Sequence, residues 1–179
     1  MQHISAKIRT KAKKIKLLLL DVDGVLTDGG IVMNDRGEEI KRFDVRDGHG
    51  IRLLLRAGVQ VGLITGRNSK VVTHRARDLG IRIVYQQAYD KLEAYQEIKR
   101  KSGLSDQAIA YVGDDIVDLP ILKRVGLAMA VKDGWPDLKR NVDYVTSNEG
   151  GRGAVREIAE LLLKAQGKWR DLTRRYYAT

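Results

Sequence analysis

The chain has 179 residues, 43% of them hydrophobic, with 33 Lys plus Arg against 23 Asp plus Glu, a formal charge of +10 and no cysteine. That length buries a sizeable core in one domain, and the missing cysteines exclude a disulfide framework, a zinc–thiolate site and a thiol nucleophile, in keeping with a reducing cytoplasm. No apolar run reaches the roughly 20 residues of a membrane span, and residues 1–16 are too polar for a signal peptide, so no membrane partner is expected.

The excess charge sits at the two ends. Residues 1–16 hold six basic residues (Lys7, Arg9, Lys11, Lys13, Lys14, Lys16) and no acid, and residues 164–179 hold five (Lys164, Lys168, Arg170, Arg174, Arg175) against Asp171. Residues 17–163 balance to zero. Terminal charge of this kind solvates, packs on a partner subunit or attracts anions loosely more often than it reads nucleic acid, so no nucleic-acid partner is expected. Residues 1–14 and 168–179 read as basic terminal segments of a single domain over 1–179. Between them, Ile15 to Val22 is almost wholly apolar, as a central strand covered on both faces requires. Gly30 to Phe43 reads as a β-hairpin turning at Asn34-Asp35-Arg36-Gly37, and it would stand over whatever the first strand presents. Helical patterns follow at Gly50–Arg56, Ser69–Leu79, Lys91–Lys101, Asp118–Arg124 and Gly153–Ala165. Apolar runs at Val59–Ile64, Ile81–Tyr85, Ala108–Val112 and, more weakly, Gly126–Val131 alternate with them. Gly58, Gly80 and Gly103 stand just past three of the helices, where a left-handed end favours glycine. Strands alternating with helices predict an α/β fold, a Rossmann-like parallel sheet with helices on both faces, plus the projecting hairpin.

Ligands bind beyond the carboxyl ends of such strands, and there the sequence places Asp21 and Asp23, Thr65, then Asp114 and Asp115. Converging carboxylates repel unless a cation sits between them, and hard oxygen donors suit Mg²⁺. An ion bridging one carboxylate and a phosphate leaves another carboxylate free to attack phosphorus. Asp23 can protonate the leaving oxygen and later activate water. Thr65 offers a hydroxyl and nearby backbone N–H groups to the phosphoryl, and Lys91 a neutralising charge.

Asp21-Val22-Asp23-Gly24-Val25-Leu26-Thr27-Asp28, the Thr65 strand end, Lys91 and Gly113-Asp114-Asp115 with Asp118 follow the order of four motifs. In these the chain resembles the haloacid dehalogenase-like phosphatases. Further segments, Arg46-Asp47-Gly48, Gly66-Arg67, Asp143 to Thr146 and Gly150 to Glu157, extend the resemblance over about residues 13–168. The resemblance implies that Asp21 is the nucleophile and Asp23 the general acid/base, with Mg²⁺ held by Asp21, the backbone carbonyl of Asp23 and Asp114. It implies substrate contacts from Asp23, Asp44, Val45, Arg46, Asp47, Gly48, Arg52, Arg67, Arg75 and Lys91. Arg52 and Arg75 lie on predicted helices, where an exposed salt bridge is the other reading. Gly66 and Asp115 are taken as supports for the site; Asp118 is either a support or a packing turn. His49 stands where an apolar or aromatic residue is expected and receives no role, and Gln86-Gln87-Ala88-Tyr89 is bulkier than the usual stretch.

The implied substrate is a small anionic sugar phosphate. Kdo 8-phosphate (3-deoxy-D-manno-octulosonate 8-phosphate) of lipopolysaccharide precursor synthesis comes first, a nonulosonate 9-phosphate second, and a nucleic-acid end last. Asp21 to Thr65 spans only 44 residues and Lys91 to Asp114 only 23, too few for the cap domain common in this superfamily. The resemblance implies instead a homotetramer, with hairpins pairing between subunits and the segment at Gly150, Gly151 and Gly153 able to cover a neighbour's site.

Overall fold

The computed structural model describes residues 4–177; the extreme ends of both basic segments, residues 1–3 and 178–179, lie outside the described residues. Residues 1–14, read as a terminal segment, contain a helix, α1 (Ala6–Lys14), capped by the Ser5 hydroxyl, which accepts from the Ile8 N–H at 3.3 Å. Its lysines conceal an apolar stripe: Ile4 and Ile8 are partly buried, Ala12 and Ile15 fully. Lys11 Nζ closes the contact on Asp143 at 2.6 Å.

The central strand β1 (Leu17–Leu20) is four leucines, all buried. Leu18 and Leu20 enter one core layer and Leu17 and Leu19 the other, which is why the run shows no polar alternation. The hairpin follows as β2 (Val32–Met33) and β3 (Glu39–Ile40), much shorter than the expected Gly30–Phe43 because only two pairs of residues join. Next come α2 (Val45–Arg56), β4 (Gln60–Ile64), α3 (Lys70–Leu79), β5 (Ile83–Tyr85), α4 (Lys91–Ser102) and β6 (Ile109–Gly113). A 3-10 turn (Ile116–Asp118) then leads to α5 (Leu119–Leu122), and the chain continues through β7 (Leu127–Ala130), α6 (Pro136–Lys139), β8 (Tyr144–Val145), α7 (Ala154–Ala165) and α8 (Trp169–Thr173). The sequence reading lacks β8, whose two residues give no pattern of their own, and starts α2 five residues late.

The sheet order is β5-β4-β1-β6-β7-β8, parallel throughout. Helices α1, α2, α3 and α7 cover one face, and α4, α5 and α6 the other. Leu20 of β1 pairs with Leu63 of β4 and Val112 of β6. β1 ends at Leu20, β4 at Ile64 and β6 at Gly113, so the residues that follow the three strands (Asp21, Thr65 and Asp114) come to one crevice.

Candidate active site

Asp21 leaves β1 buried, its N–H donating to Val112 O at 3.0 Å. One oxygen each of Asp21, Asp114 and Asp118 lie within 4.8 Å of one another. Lys91, the first residue of α4, inserts its ammonium between two of them, 2.9 Å from Asp21 Oδ1 and 2.7 Å from Asp118 Oδ1. Burial pulls this ammonium down, but the two carboxylates outweigh it and hold Lys91 above its usual pKa. Burial pushes Asp21 up to about 6 against the pull of Lys91. Burial first, and then the charges of Asp21 and Asp118, push Asp114 up to about 8.

Asp118 is fully buried, and its oxygens are all engaged: Tyr111 donates to Oδ1 at 2.6 Å, and the N–H groups of Asp114 and Asp115 donate to Oδ2 at 3.0 and 3.4 Å. It supports Lys91 and the Asp114 loop. The sequence reading favoured Asp115 for that task; instead the Asp115 side chain is exposed and accepts from its neighbour Ile116 N–H at 2.7 Å, capping the 3-10 turn. With both Asp118 oxygens occupied, Asp114 and Asp21, one of whose oxygens is on Lys91, remain as the hard-oxygen ligands, a donor set that fits Mg²⁺.

Gly24 (φ +90°) makes the turn after Asp23, and a Cβ there would stand 2.1 Å from Asp114 Oδ2. Gly150 packs under this same turn, where a Cβ would meet Gly24 O at 1.7 Å, and the Gly151 N–H donates to Val25 O at 2.9 Å. The glycine-rich segment thus lies against the Asp23–Thr27 loop of its own chain.

Thr65 is buried, with its hydroxyl accepting from the Arg67 N–H at 3.2 Å and standing 3.5 Å from Asp23 Oδ2. The loop before α4 stitches this motif to the next: Ala88 N–H donates to Thr65 O at 3.0 Å, and Gln86 Oε1 accepts from Ser69 N–H at 2.6 Å. Gly66 sits beside Thr65 in the loop after β4, facing Ala88 O of this stretch. The bulky Gln86–Tyr89 stretch therefore serves the Thr65 loop, with Gln87 and Tyr89 exposed.

The other named positions divide. Asp44 caps α2 by accepting from Arg46 N–H at 2.6 Å and pairs with the Arg46 guanidinium at 2.7 Å; Val45 beside it is exposed. Asp47 turns inward, buried, accepting from Gly153 N–H at 3.2 Å and Arg156 N–H at 2.7 Å, so it caps α7 and is unavailable to a ligand. Gly48 leaves room for Arg75, whose guanidinium lies 5.5 Å over the Phe43 ring and 2.8 Å from Asp78. Arg52 reaches the same Asp78 at 3.1 Å, an exposed pair with no bond to the carboxylate cluster.

The hairpin contributes what the sequence reading missed. Lys41 bonds Asp23 Oδ1 and lies 3.0 Å from Glu39 Oε1, while Glu39 also takes Arg67 Nη2 at 3.0 Å and the Ser69 hydroxyl. The signal is an inverted alternation: Glu39 and Lys41 share the inward face, and Ile40 between them is 57% exposed.

Carboxylates at the ends of β1 and β6, a threonine at the end of β4 and a buried lysine at the start of α4 make the site of a haloacid dehalogenase-like hydrolase, and the sequence pattern of that family matches residues 78–158. The 3-deoxy-D-manno-octulosonate 8-phosphate phosphatase of Escherichia coli K12 is 50% identical over 165 residues, covering 92% of this chain and 88% of the relative. The solved enzyme of that name from Yersinia pestis superposes with a TM-score of 0.90 at 47% identity, covering 91% of this chain and 88% of its own. The Moraxella catarrhalis enzyme, solved with magnesium, phosphate and KDO, gives 0.93 at 41% identity, covering 95% and 98%. The chain belongs to the 3-deoxy-D-manno-octulosonate 8-phosphate phosphatase family within the haloacid dehalogenase-like hydrolases.

Proposed function

We propose that this chain, working as one domain, is a Mg²⁺-dependent phosphomonoesterase that releases phosphate from Kdo 8-phosphate in lipopolysaccharide precursor synthesis. The observation that carries the reading is the meeting of Asp21, Asp114 and Lys91 at the ends of β1 and β6 and the start of α4. Asp21 and Asp114, with the Asp23 carbonyl, would hold the ion, which supplies positive charge against the repulsion between carboxylate and phosphate.

Asp21 attacks phosphorus, the bond from phosphorus to the sugar oxygen breaks, and Asp23 gives that oxygen its proton. Asp23 then takes a proton from water, whose oxygen attacks phosphorus and frees Asp21 and inorganic phosphate. Thr65 and Lys91 hold the phosphoryl oxygens, and Lys91 keeps Asp21 charged despite its burial. Arg67 and Arg75, followed by Arg46 at the Asp44-capped start of α2, would line the side on which the sugar carboxylate lies; Arg52 stands at its rim.

Assembly as a homotetramer belongs to the same reading. Ile31, Val32, Met33 and Ile40 are 54–60% exposed on the hairpin, an apolar surface suited to a neighbouring subunit. A light-scattering mass of one chain with full activity would contradict it. The site of action is taken as cytoplasmic; among the described residues no helix is long and apolar enough to cross a membrane. Phosphate release from Kdo 8-phosphate, a nonulosonate 9-phosphate and a 3′-phosphorylated oligonucleotide, with Mg²⁺ and with EDTA, tests the function. The highest kcat/KM is expected on the first, and only with Mg²⁺. A preference for either of the others would replace the substrate, and activity in EDTA would remove the metal.

A further inference from the structure

The hairpin is a poor candidate for independent structure. Its strands have two residues each, and its large apolar side chains face outward. Yet the Lys41 side chain is only 1% exposed, although a buried ammonium is costly unless paired. Its partners are Asp23 and Glu39, and Glu39 is tied in turn to Arg67 and Ser69 on the loop after β4. A polar chain therefore runs from the Thr65 loop through the hairpin to Asp23.

That chain acts on the side chain whose direction matters most. Asp23 sits 22% exposed beyond β1 with its backbone committed to the turn, so its carboxylate direction depends on what its oxygens bond. Oδ1 is taken by Lys41, and Oδ2 faces the Thr65 hydroxyl at 3.5 Å. Lys41 has no bond or ion pair to Asp21, Asp114 or Lys91 among the described residues. Its influence on the chemistry passes through Asp23.

We propose that Lys41 is a positioning residue for Asp23: the hairpin carries an ammonium, braced by Glu39, that aims the proton-donating carboxylate at the leaving oxygen. This rests on the reading of Asp23 as the proton-transferring group. General acid catalysis contributes about 10²–10⁴ in rate, and misplacement by an ångström can remove about 10² of it. The hairpin thereby takes part in turnover as well as in any contact between subunits.

The role has a signature that a structural role lacks. A sugar alkoxide needs a proton to leave, whereas the p-nitrophenolate of p-nitrophenyl phosphate leaves readily without one. We therefore expect Lys41→Met to lower kcat/KM on the sugar phosphate about thirtyfold and on p-nitrophenyl phosphate less than about threefold, with Lys41→Arg recovering most of the loss. Glu39→Gln, which loosens the brace and keeps the ammonium, should show the same bias at smaller size; it decides the matter if Lys41→Met does not fold. Equal losses on both esters would overturn the proposal and leave Lys41 as scaffold. A loss confined to KM for the sugar phosphate would also overturn it, making Lys41 a substrate contact. The comparison needs only one alkyl phosphate that the wild-type chain hydrolyses. Failure of the wild type on Kdo 8-phosphate therefore overturns the substrate assignment and leaves this test standing.

Discussion

Asp118→Asn removes one charge from the most crowded part of the site, and its cost can be built from the contacts. The carboxylate accepts from Lys91 at 2.7 Å, Tyr111 at 2.6 Å and two backbone N–H groups at 3.0 and 3.4 Å. An amide in either orientation points its NH₂ at donors, so two of these contacts become repulsive. Breaking a buried ion pair from one side costs about 3–5 kcal/mol, and donors left unsatisfied add to it at about 1–3 kcal/mol each. Against this, the neutral amide relieves repulsion on Asp21 and Asp114, both of which Asp118 drives upward in pKa. The expected balance is a loss of about 3 kcal/mol, hence roughly 6–12 °C in Tm at about 2–4 °C per kcal/mol for this chain length. With Lys91 freed from one anchor, kcat/KM should fall about a hundredfold. Thermal melts by circular dichroism, in EDTA and in Mg²⁺, measure the first quantity, and phosphate release the second. A Tm within about 2 °C of wild type together with unchanged turnover would refute the assignment of Asp118 as the prop of Lys91.

Four further outcomes follow from the same geometry. Gly24→Ala forces a Cβ to within 2.1 Å of Asp114 Oδ2 at a φ of +90°, so Mg²⁺ affinity by calorimetry should fall at least tenfold, and unchanged affinity would remove Asp114 from the ion's ligands. Asp21 and Asp114 are raised to about 6 and about 8, so protons compete with the cation below those values: apparent Mg²⁺ affinity should drop steadily from pH 8 to pH 6. For the metal-free protein the sign is opposite. Raised carboxyls give stability that is present at low pH and lost as pH climbs through 6 and 8, so Tm in EDTA should decline there while Tm in Mg²⁺ holds; parallel curves would contradict it. Deleting residues 1–14 strips α1 with its buried Ala12 and the Lys11–Asp143 pair, and should lower Tm by several degrees with kcat/KM retained; an unchanged Tm would return the segment to the status of a tail.

The carboxylates were legible because each directly follows an apolar strand, and strand ends in a parallel sheet converge whatever the loops do. The hairpin's place was legible for the same reason, but its inward chemistry was not. Glu39 lies on a two-residue strand and Lys41 just beyond it, and nothing local says that they face the site while Ile40 faces out. The start of α2 was hidden by Gly48 and Gly50, each costing a helix about 1 kcal/mol. Both are accommodated through tertiary contacts, Gly50 against α7 at Ala159 and Arg156, and Gly48 against Arg75. Helix α1 was masked by charge, since four buried or half-buried apolar positions share their turns with lysines that point to solvent. The exchange of roles between Asp115 and Asp118 turns on which of two neighbouring acids points inward. Sequence spacing placed both near Lys91, and only the 3-10 turn separates them.

The central claim is that Asp21 carries phosphorus during turnover. Acid quenching of the enzyme with ³²P-labelled Kdo 8-phosphate and Mg²⁺, followed by peptide mapping, tests it most directly. The label should appear on Asp21 in the wild-type chain and be absent from a folded Asp21→Asn variant with no turnover. Label on another residue, or phosphate release by Asp21→Asn at the wild-type rate, would contradict it.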